Sequence, residues 1–292
     1  MLCSESSQRS GEHIDGTALD RMVHWIAIED HGSRPSKVTM KTDLAPGVLD
    51  WFIRMKGRPH TRPVLIRRRD RPTGFTVFYA RVDVGHLQTF HLDRQEQLLD
   101  IDWHALMTQP LGATAELGPL LVCTHGSRDS CCGRLAPPVL NALEHVGPGR
   151  IWQSTHIGGH RYAPTLIALP SGLQFGRVTA REAPDLLVQL DAGRIHNLAM
   201  LRGATALPRA AQAAQIWLRR ERALLGLTDV IVRHVQHGGS ERDDTIVTLH
   251  TPGDGRDHSV LVKLVDEPFS VLASCSKSPK TAQRWVVERR NE

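Results

Sequence analysis

Two cysteines nine positions apart, Cys123 and Cys132, are followed by two histidines four apart, His156 and His160. Thiols and imidazoles are the side chains that bind borderline and soft metals. The first cysteine ends a short apolar run, Leu120–Cys123, entered from the breaker Gly118-Pro119. The first histidine ends a second run, Arg150–His156. Both runs read as strands that deliver a ligand to a loop. A fold that uses all four side chains together must set two strand ends side by side, with the loops beyond them converging on one point.

The surrounding pattern supplies such a fold. After the strand at 120–123 come a helix over Pro138–His145, a strand at Ile151–Thr155, and two runs, Ala163–Leu169 and Leu173–Val178, that pair across Pro170-Ser-Gly172. Thr179-Ala-Arg-Glu182 reads as a capping box opening a helix to about Ala192, with Gly193 as its stop. Strand, helix, strand, hairpin, helix is the thioredoxin-like order. The first part of the chain shows a similar order without the ligands. It has a strand at Met22–Glu29, a helix at Pro46–Met55, strands at Arg62–Arg67 and Phe75–Val82 across the turn Arg71-Pro-Thr-Gly74, a run at His86–His91 and a helix at Gln95–Met107. No residue-level identity between the two parts supports a duplication. Downstream, Ala210–Leu225 is an amphipathic helix. Strand-like runs follow at Asp229–His234, Asp244–His250, His258–Val265, Phe269–Cys275 and Gln283–Glu288. The expected fold class is α/β with α+β character. It divides into an N-terminal α/β region over 1–112, a thioredoxin-like domain over 113–205 and a small C-terminal α+β appendage over 206–292. Residues 1–15 read as polar and loose.

Composition narrows the function classes. With 292 residues, 40% of them hydrophobic and 23% charged, the chain has the balance of a globular protein. No apolar run approaches a membrane helix, and the N-terminus has no apolar segment of the signal-peptide kind. The cytoplasm is the default location, where five cysteines read as ligands or free thiols rather than disulfides. The net charge of +5 is modest. The densest basic run, Arg67–Arg71, reads first as a solvated hairpin end and second as a docking patch for an acidic redox partner. Nucleic acid is disfavoured, because no aromatic residues interleave the arginines. There is no G-x-S-x-G elbow and no carboxylate pair in a glycosidase context, so a hydrolase is excluded. A C-x-x-C is also absent, which leaves thiol oxidoreductase chemistry as a weak alternative.

The same residues resemble the sucrase/ferredoxin-like family. The matching segments are Val122–Asp129, Cys132-Gly133, Trp152–Arg161 and Leu169–Arg177, with weaker likeness at Gly16–Ala18, Trp25, Arg202-Gly203, Gln212 and Ser274-Cys275. The resemblance implies a thioredoxin-like ferredoxin domain whose 2Fe–2S cluster is held by two cysteines and two histidines. Such a protein moves single electrons or senses redox state, and is more an electron-transfer protein than a catalyst.

On spacing alone, zinc and iron–sulfur stand level. Two Cys and two His are a tetrahedral zinc set, yet Cys123 and Cys132 are wider apart than zinc-finger cysteines, and Gly158-Gly159 argues against a finger helix. The resemblance favours the cluster and leaves a zinc-stabilised interaction module as the alternative. It assigns Cys123 and Cys132 to one iron, and His156 and His160 to the other. Gly158 and Gly159 then let the backbone approach the cluster. Spacing cannot choose between Cys131 and Cys132. The resemblance favours Cys132, because relatives often place a basic residue at the position of Cys131. His125 reads as a supporting group, Arg128 and Asp129 as a bracing pair, and Arg161 as an offset to cluster charge. Cys3 and Cys275 have no ligand near them in sequence and read as ordinary thiols.

Overall fold

The computed structural model describes residues 1–41, 43–70, 73–109, 111–114, 117–237 and 244–290. The expected turn residues Arg71 and Pro72 and part of the 112–119 connector lie outside the described residues. The elements in chain order begin with α1 (Cys3–Arg9), β1 (His24–Glu29), α2 (Val48–Gly57), β2 (Thr61–Arg67), β3 (Phe75–Arg81) and β4 (His86–Leu92). A 3-10 turn at Gln95–Asp100 leads into α3 (Trp103–Thr108). Next come β5 (Leu120–Cys123), α4 (Ser130–Val146), β6 (Ile151–Ser154), β7 (Leu166–Ala168), β8 (Leu173–Phe175), α5 (Ala183–Asp191), β9 (Leu201–Ala204) and α6 (Arg209–Arg222). The chain finishes with β10 (Ile231–Gln236), β11 (Thr245–Thr251), β12 (Arg256–Leu272) and β13 (Pro279–Arg289).

β1 to β9 form one sheet in the order β4-β3-β1-β2-β6-β5-β7-β8-β9. Within it the same connection occurs twice. β1 and β2 are parallel and linked by α2, and β3 and β4 follow as an antiparallel hairpin on the other side of β1. β5 and β6 are parallel and linked by α4, and β7 and β8 follow on the other side of β5. This is the thioredoxin-like order, present in both halves. Their strands pair where the carboxyl ends of β2 and β6 overlap, with Ile66 opposite Ser154 and Arg67 opposite Gln153. Thr155 tightens the seam, its amide donating to Leu65 O at 2.8 Å and its hydroxyl accepting from the Leu65 amide at 3.0 Å.

Alternating side chains build the cores. One face of the sheet packs Ile26, Ile28 and Leu65 against α2 and α3, and Val122, Ile151 and Phe175 against α4 and α5. The opposite face carries Trp25, Val64, Leu121, Cys123 and Trp152 in one continuous cluster. Phe78 on β3 stacks edge-on to Trp152 on β6 with ring centroids 5.4 Å apart. Three strand spacings would hold them about 14 Å apart in a flat sheet, so the sheet curls around this cluster. β10 to β13 make a separate antiparallel sheet that rests Val247, Leu249, Val260 and Val262 on the alanine-rich face of α6. No helix among the described residues is long and apolar enough to cross a membrane.

Three expectations change. The helix expected at 138–145 begins at Ser130. Asp129 caps it by accepting from the Cys131 amide at 3.0 Å, and the internal Pro137 and Pro138 lie on its exposed side, where water can satisfy the carbonyls they leave unpaired. The runs at 258–265 and 269–275 belong largely to one strand, β12, with an irregular step between Asp266 and Ser270. The N-terminus is not loose: Cys3, Ser4, Ser7 and Glu12 are buried, and Glu12 accepts from Arg161 Nε and the Tyr162 hydroxyl, both at 2.9 Å.

Candidate metal centre

The site lies at the seam between the two halves of the large sheet. β5 ends in Cys123, the first turn of α4 carries Cys132, and the loop leaving β6 carries His156. Ligand atoms of these three residues all lie within 4.8 Å of one another. Both thiols are fully buried. His160 stands beside this set, its ring centroid 5.1 Å from that of His156. The structure therefore puts Cys132 next to Cys123 and turns Cys131 away from them.

Two glycines allow this packing. A Cβ on Gly133, in the first turn of α4, would lie 2.7 Å from Gly126 Cα in the loop after β5, so the helix and the ligand loop touch backbone to backbone. Gly159 has φ +74°, and a Cβ there would strike the Arg202 guanidinium. Three side chains hold the carbonyls of the histidine loop in place. Arg62 donates to His156 O, Gln174 to Ile157 O at 2.8 Å, and Arg202 to Gly158 O at 3.1 Å. His125 accepts from the His156 amide through Nδ1 at 3.1 Å, and its Nε2 donates to Pro35 O at 2.9 Å.

The electrostatics favour an anionic sulfur at the centre. A hydrogen bond from Cys132 holds the Cys123 thiol well below the ordinary thiol range against the opposing effect of burial, helped by His156 and the His125 amide. The same hydrogen bond and burial push Cys132 far up. Burial lowers His160, which keeps its ring neutral and suited to ligation. Its Nε2 donates to Ala273 O at 2.9 Å, which leaves the lone pair on Nδ1. The Nδ1 atoms of both His156 and His160 are buried and have no hydrogen-bond partner. Two thiols and two unpartnered imidazole nitrogens form a donor set that fits a metal ion or a small cluster.

A cavity of about 260 Å³ opens beside His156. Lys37, Lys56, Arg62, Arg128, His125 and His156 line part of its wall. Burial lowers Lys56, and repulsion from Arg62, Arg128 and Lys37 adds to that. This cationic wall comes from scattered positions and was not visible as a run in the sequence. The run that was visible is tied up elsewhere: Arg69 pairs with Glu144 at 3.2 Å, Arg68 with Asp70 at 3.3 Å, and Arg67 donates to Gln153.

Residues 61–203 match the sucrase/ferredoxin-like family. That span runs from β2 to β9 and contains every candidate ligand of the site. Two curated relatives share shorter stretches, both named Altered inheritance of mitochondria protein 32. The one from Eremothecium gossypii is 34% identical over 91 residues, 26% of this chain and 29% of its own. The one from Meyerozyma guilliermondii is 39% identical over 72 residues, 20% of this chain and 24% of its own. The matches thus cover less than a third of either relative. No solved structure matches the chain.

Several residues have roles the sequence did not give them. Asp129 is not committed to Arg128. Its carboxylate accepts from the amides of Cys131 and Cys275, and those bonds hold it below the usual carboxylate range although burial works the other way. Arg161 is engaged by Glu12 at 2.9 Å. Cys3 and Cys275 are not isolated thiols, because they meet Cys131 and Asp129 in a second group, buried except for the partly exposed Cys275. Sequence separations of 128 to 272 positions hid that group.

Proposed function

We propose that Cys123, Cys132, His156 and His160 hold a 2Fe–2S cluster, and that the protein transfers single electrons or senses redox state through it in the cytoplasm. The observation that carries this reading is the pair of buried thiols grouped with His156, with His160 against the His156 ring and the Nδ1 atoms of both imidazoles lacking any hydrogen-bond partner. When bound, such a cluster supplies one-electron chemistry, and two neutral imidazoles in place of two thiolates raise its reduction potential. The chain's own residues do the rest. His125 holds the backbone amide of His156, Ala273 fixes the His160 ring, Arg62, Gln174 and Arg202 hold the loop between the two histidines, and the apolar cluster around Trp25 and Trp152 excludes water from the thiol side. The cationic wall beside His156 suits a redox partner with an acidic surface.

Zinc is the second reading. His156 lies within 4.8 Å of both thiols, a spacing that also suits a single ion. The experiment is anaerobic purification from iron-replete cells, with iron and acid-labile sulfide counted per chain. Two of each, with red-brown colour, is the expected result. A colourless protein without sulfide, whose zinc disappears on changing Cys123→Ser, would replace the cluster by zinc.

A further inference from the structure

The five cysteines divide into two groups, and the second has no part in the reading above. We propose that Cys3, Cys131, Cys275 and Asp129 form a separate site for a single metal ion, and that zinc is the ion it takes. The donors are different residues from those of the proposed cluster, so this site does not rest on that reading.

Distances and chemistry agree. Cys131 Sγ lies 3.4 Å from both Cys3 Sγ and Cys275 Sγ, and those two are 3.6 Å apart. Asp129 Oδ1 is 3.3 Å from Cys275 Sγ and 3.8 Å from Cys3 Sγ. A tetrahedral zinc with Zn–S of about 2.3 Å and Zn–O of about 2.1 Å places its sulfurs about 3.8 Å apart and sulfur from oxygen about 3.6 Å apart. The observed edges fall within about 0.4 Å of that tetrahedron. A polynuclear cluster spreads its ligands over several irons and needs wider spacing. A disulfide needs sulfurs about 2.05 Å apart and leaves one of three near-equivalent thiols without a partner. Thiolate-rich sets select soft and borderline metals, and the carboxylate favours zinc over monovalent copper.

The surroundings are those of a ligand set. The Ser4 amide donates to Cys131 Sγ and the Cys3 amide to Cys275 Sγ, each at 3.4 Å. Amide donors aimed at sulfur stabilise thiolates and orient them as ligands. The amides of Cys131 and Cys275 orient the Asp129 carboxylate in the same way, at 3.0 and 3.1 Å. The first turn of α4 adds its positive end at Cys131. Leu2, Leu135, Leu272 and Ala163 pack around the group. Burying two thiols and a carboxylate there, with a third thiol half-buried beside them, is unfavourable unless something compensates them. The ion would fasten α1, the start of α4 and the loop between β12 and β13 to one point.

The test uses the full chain made in medium replete in iron and zinc, with both metals counted by mass spectrometry. We expect one zinc per chain in the wild type and in Cys123→Ser. We expect loss of that zinc, with iron unchanged, in Cys3→Ser and Cys275→Ser whose circular dichroism matches the wild type. Cobalt added to metal-stripped Cys123→Ser protein should give the visible bands of a tetrahedral thiolate site, and the Cys123→Ser/Cys275→Ser double variant should not. Zinc retained by folded Cys3→Ser and Cys275→Ser, or lost from Cys123→Ser instead, would overturn the assignment. So would a wild-type protein without zinc whose intact mass shows a disulfide among these cysteines. If the Cys3 and Cys275 variants misfold, the cobalt spectrum of the Cys123→Ser protein decides: absence of thiolate bands rejects the site.

Discussion

The two halves of the large sheet share a topology and differ in what stands at their strand ends. In the second half β5 and β6 lead into Cys123 and His156. In the first half the equivalent strands end in Glu29 and Arg67, and the loop after β1 buries an ion pair, Asp30 with Lys41 at 3.0 Å. That loop then crosses the seam. Arg34 O accepts from the Ser127 hydroxyl, Arg34 Nη2 donates to Gln153 O, and Pro35 O accepts from His125. One half presents the ligands and the other braces the loop that carries them. Topology fixes where a site can form, outside the carboxyl ends of parallel strands. The residues at those ends decide which half uses it.

The largest effect expected from breaking this division of labour is on metal content. Cys123→Ser or Cys132→Ser should remove all iron from the purified protein, whereas Cys131→Ser should retain it. Iron and sulfide analysis checks this, and equal retention by Cys131→Ser and Cys132→Ser would show that either thiol serves. Replacing both His156 and His160 with Cys should keep iron and lower the midpoint potential by on the order of 200 mV, because thiolates add negative charge. Redox titration reads that shift, and an unchanged potential would remove the histidines from the ligand set.

Next come effects on stability. Lys41→Met leaves Asp30 as an uncompensated buried charge and should destabilise the chain by about 3–5 kcal/mol in denaturant unfolding, with iron content of the folded fraction unchanged. His125→Ala removes one of the links between the halves. It should cost about 1–3 kcal/mol and speed iron release to a chelator, because the Pro35 carbonyl and the His156 amide lose their partner. Release at the wild-type rate would mean the first half does not brace the site. The smallest change is Arg69→Ala, which breaks an exposed pair with Glu144 and should alter stability by about 1 kcal/mol or less without affecting metal.

Much of this division was legible in the sequence. Apolar alternation and turn residues gave both sets of strands, and helical spacing at Val48, Trp51, Phe52 and Met55 gave α2. Cys123 and His156 stood out because each ends or follows a recognisable strand, whereas spacing left Cys131 and Cys132 level and only the family resemblance favoured Cys132. The start of α4 was obscured by Pro137-Pro138, since a helix whose prolines face solvent differs from a broken one only in three dimensions. Contacts between distant segments left no local pattern, which is why the Cys3–Cys131–Cys275 group and the cationic wall emerged only from the fold.

Adjacent Cys131 and Cys132 occupy successive positions in the first turn of α4, so their side chains diverge by about 100° around the helix axis. One thiol faces the seam and the other faces α1. The helix thus acts as a selector with a one-residue register. Inserting a residue before Ser130 would rotate the turn by that same angle and withdraw both sulfurs from their neighbours at once. The Asp129 cap, anchored to the amides on both sides, is what sets the phase.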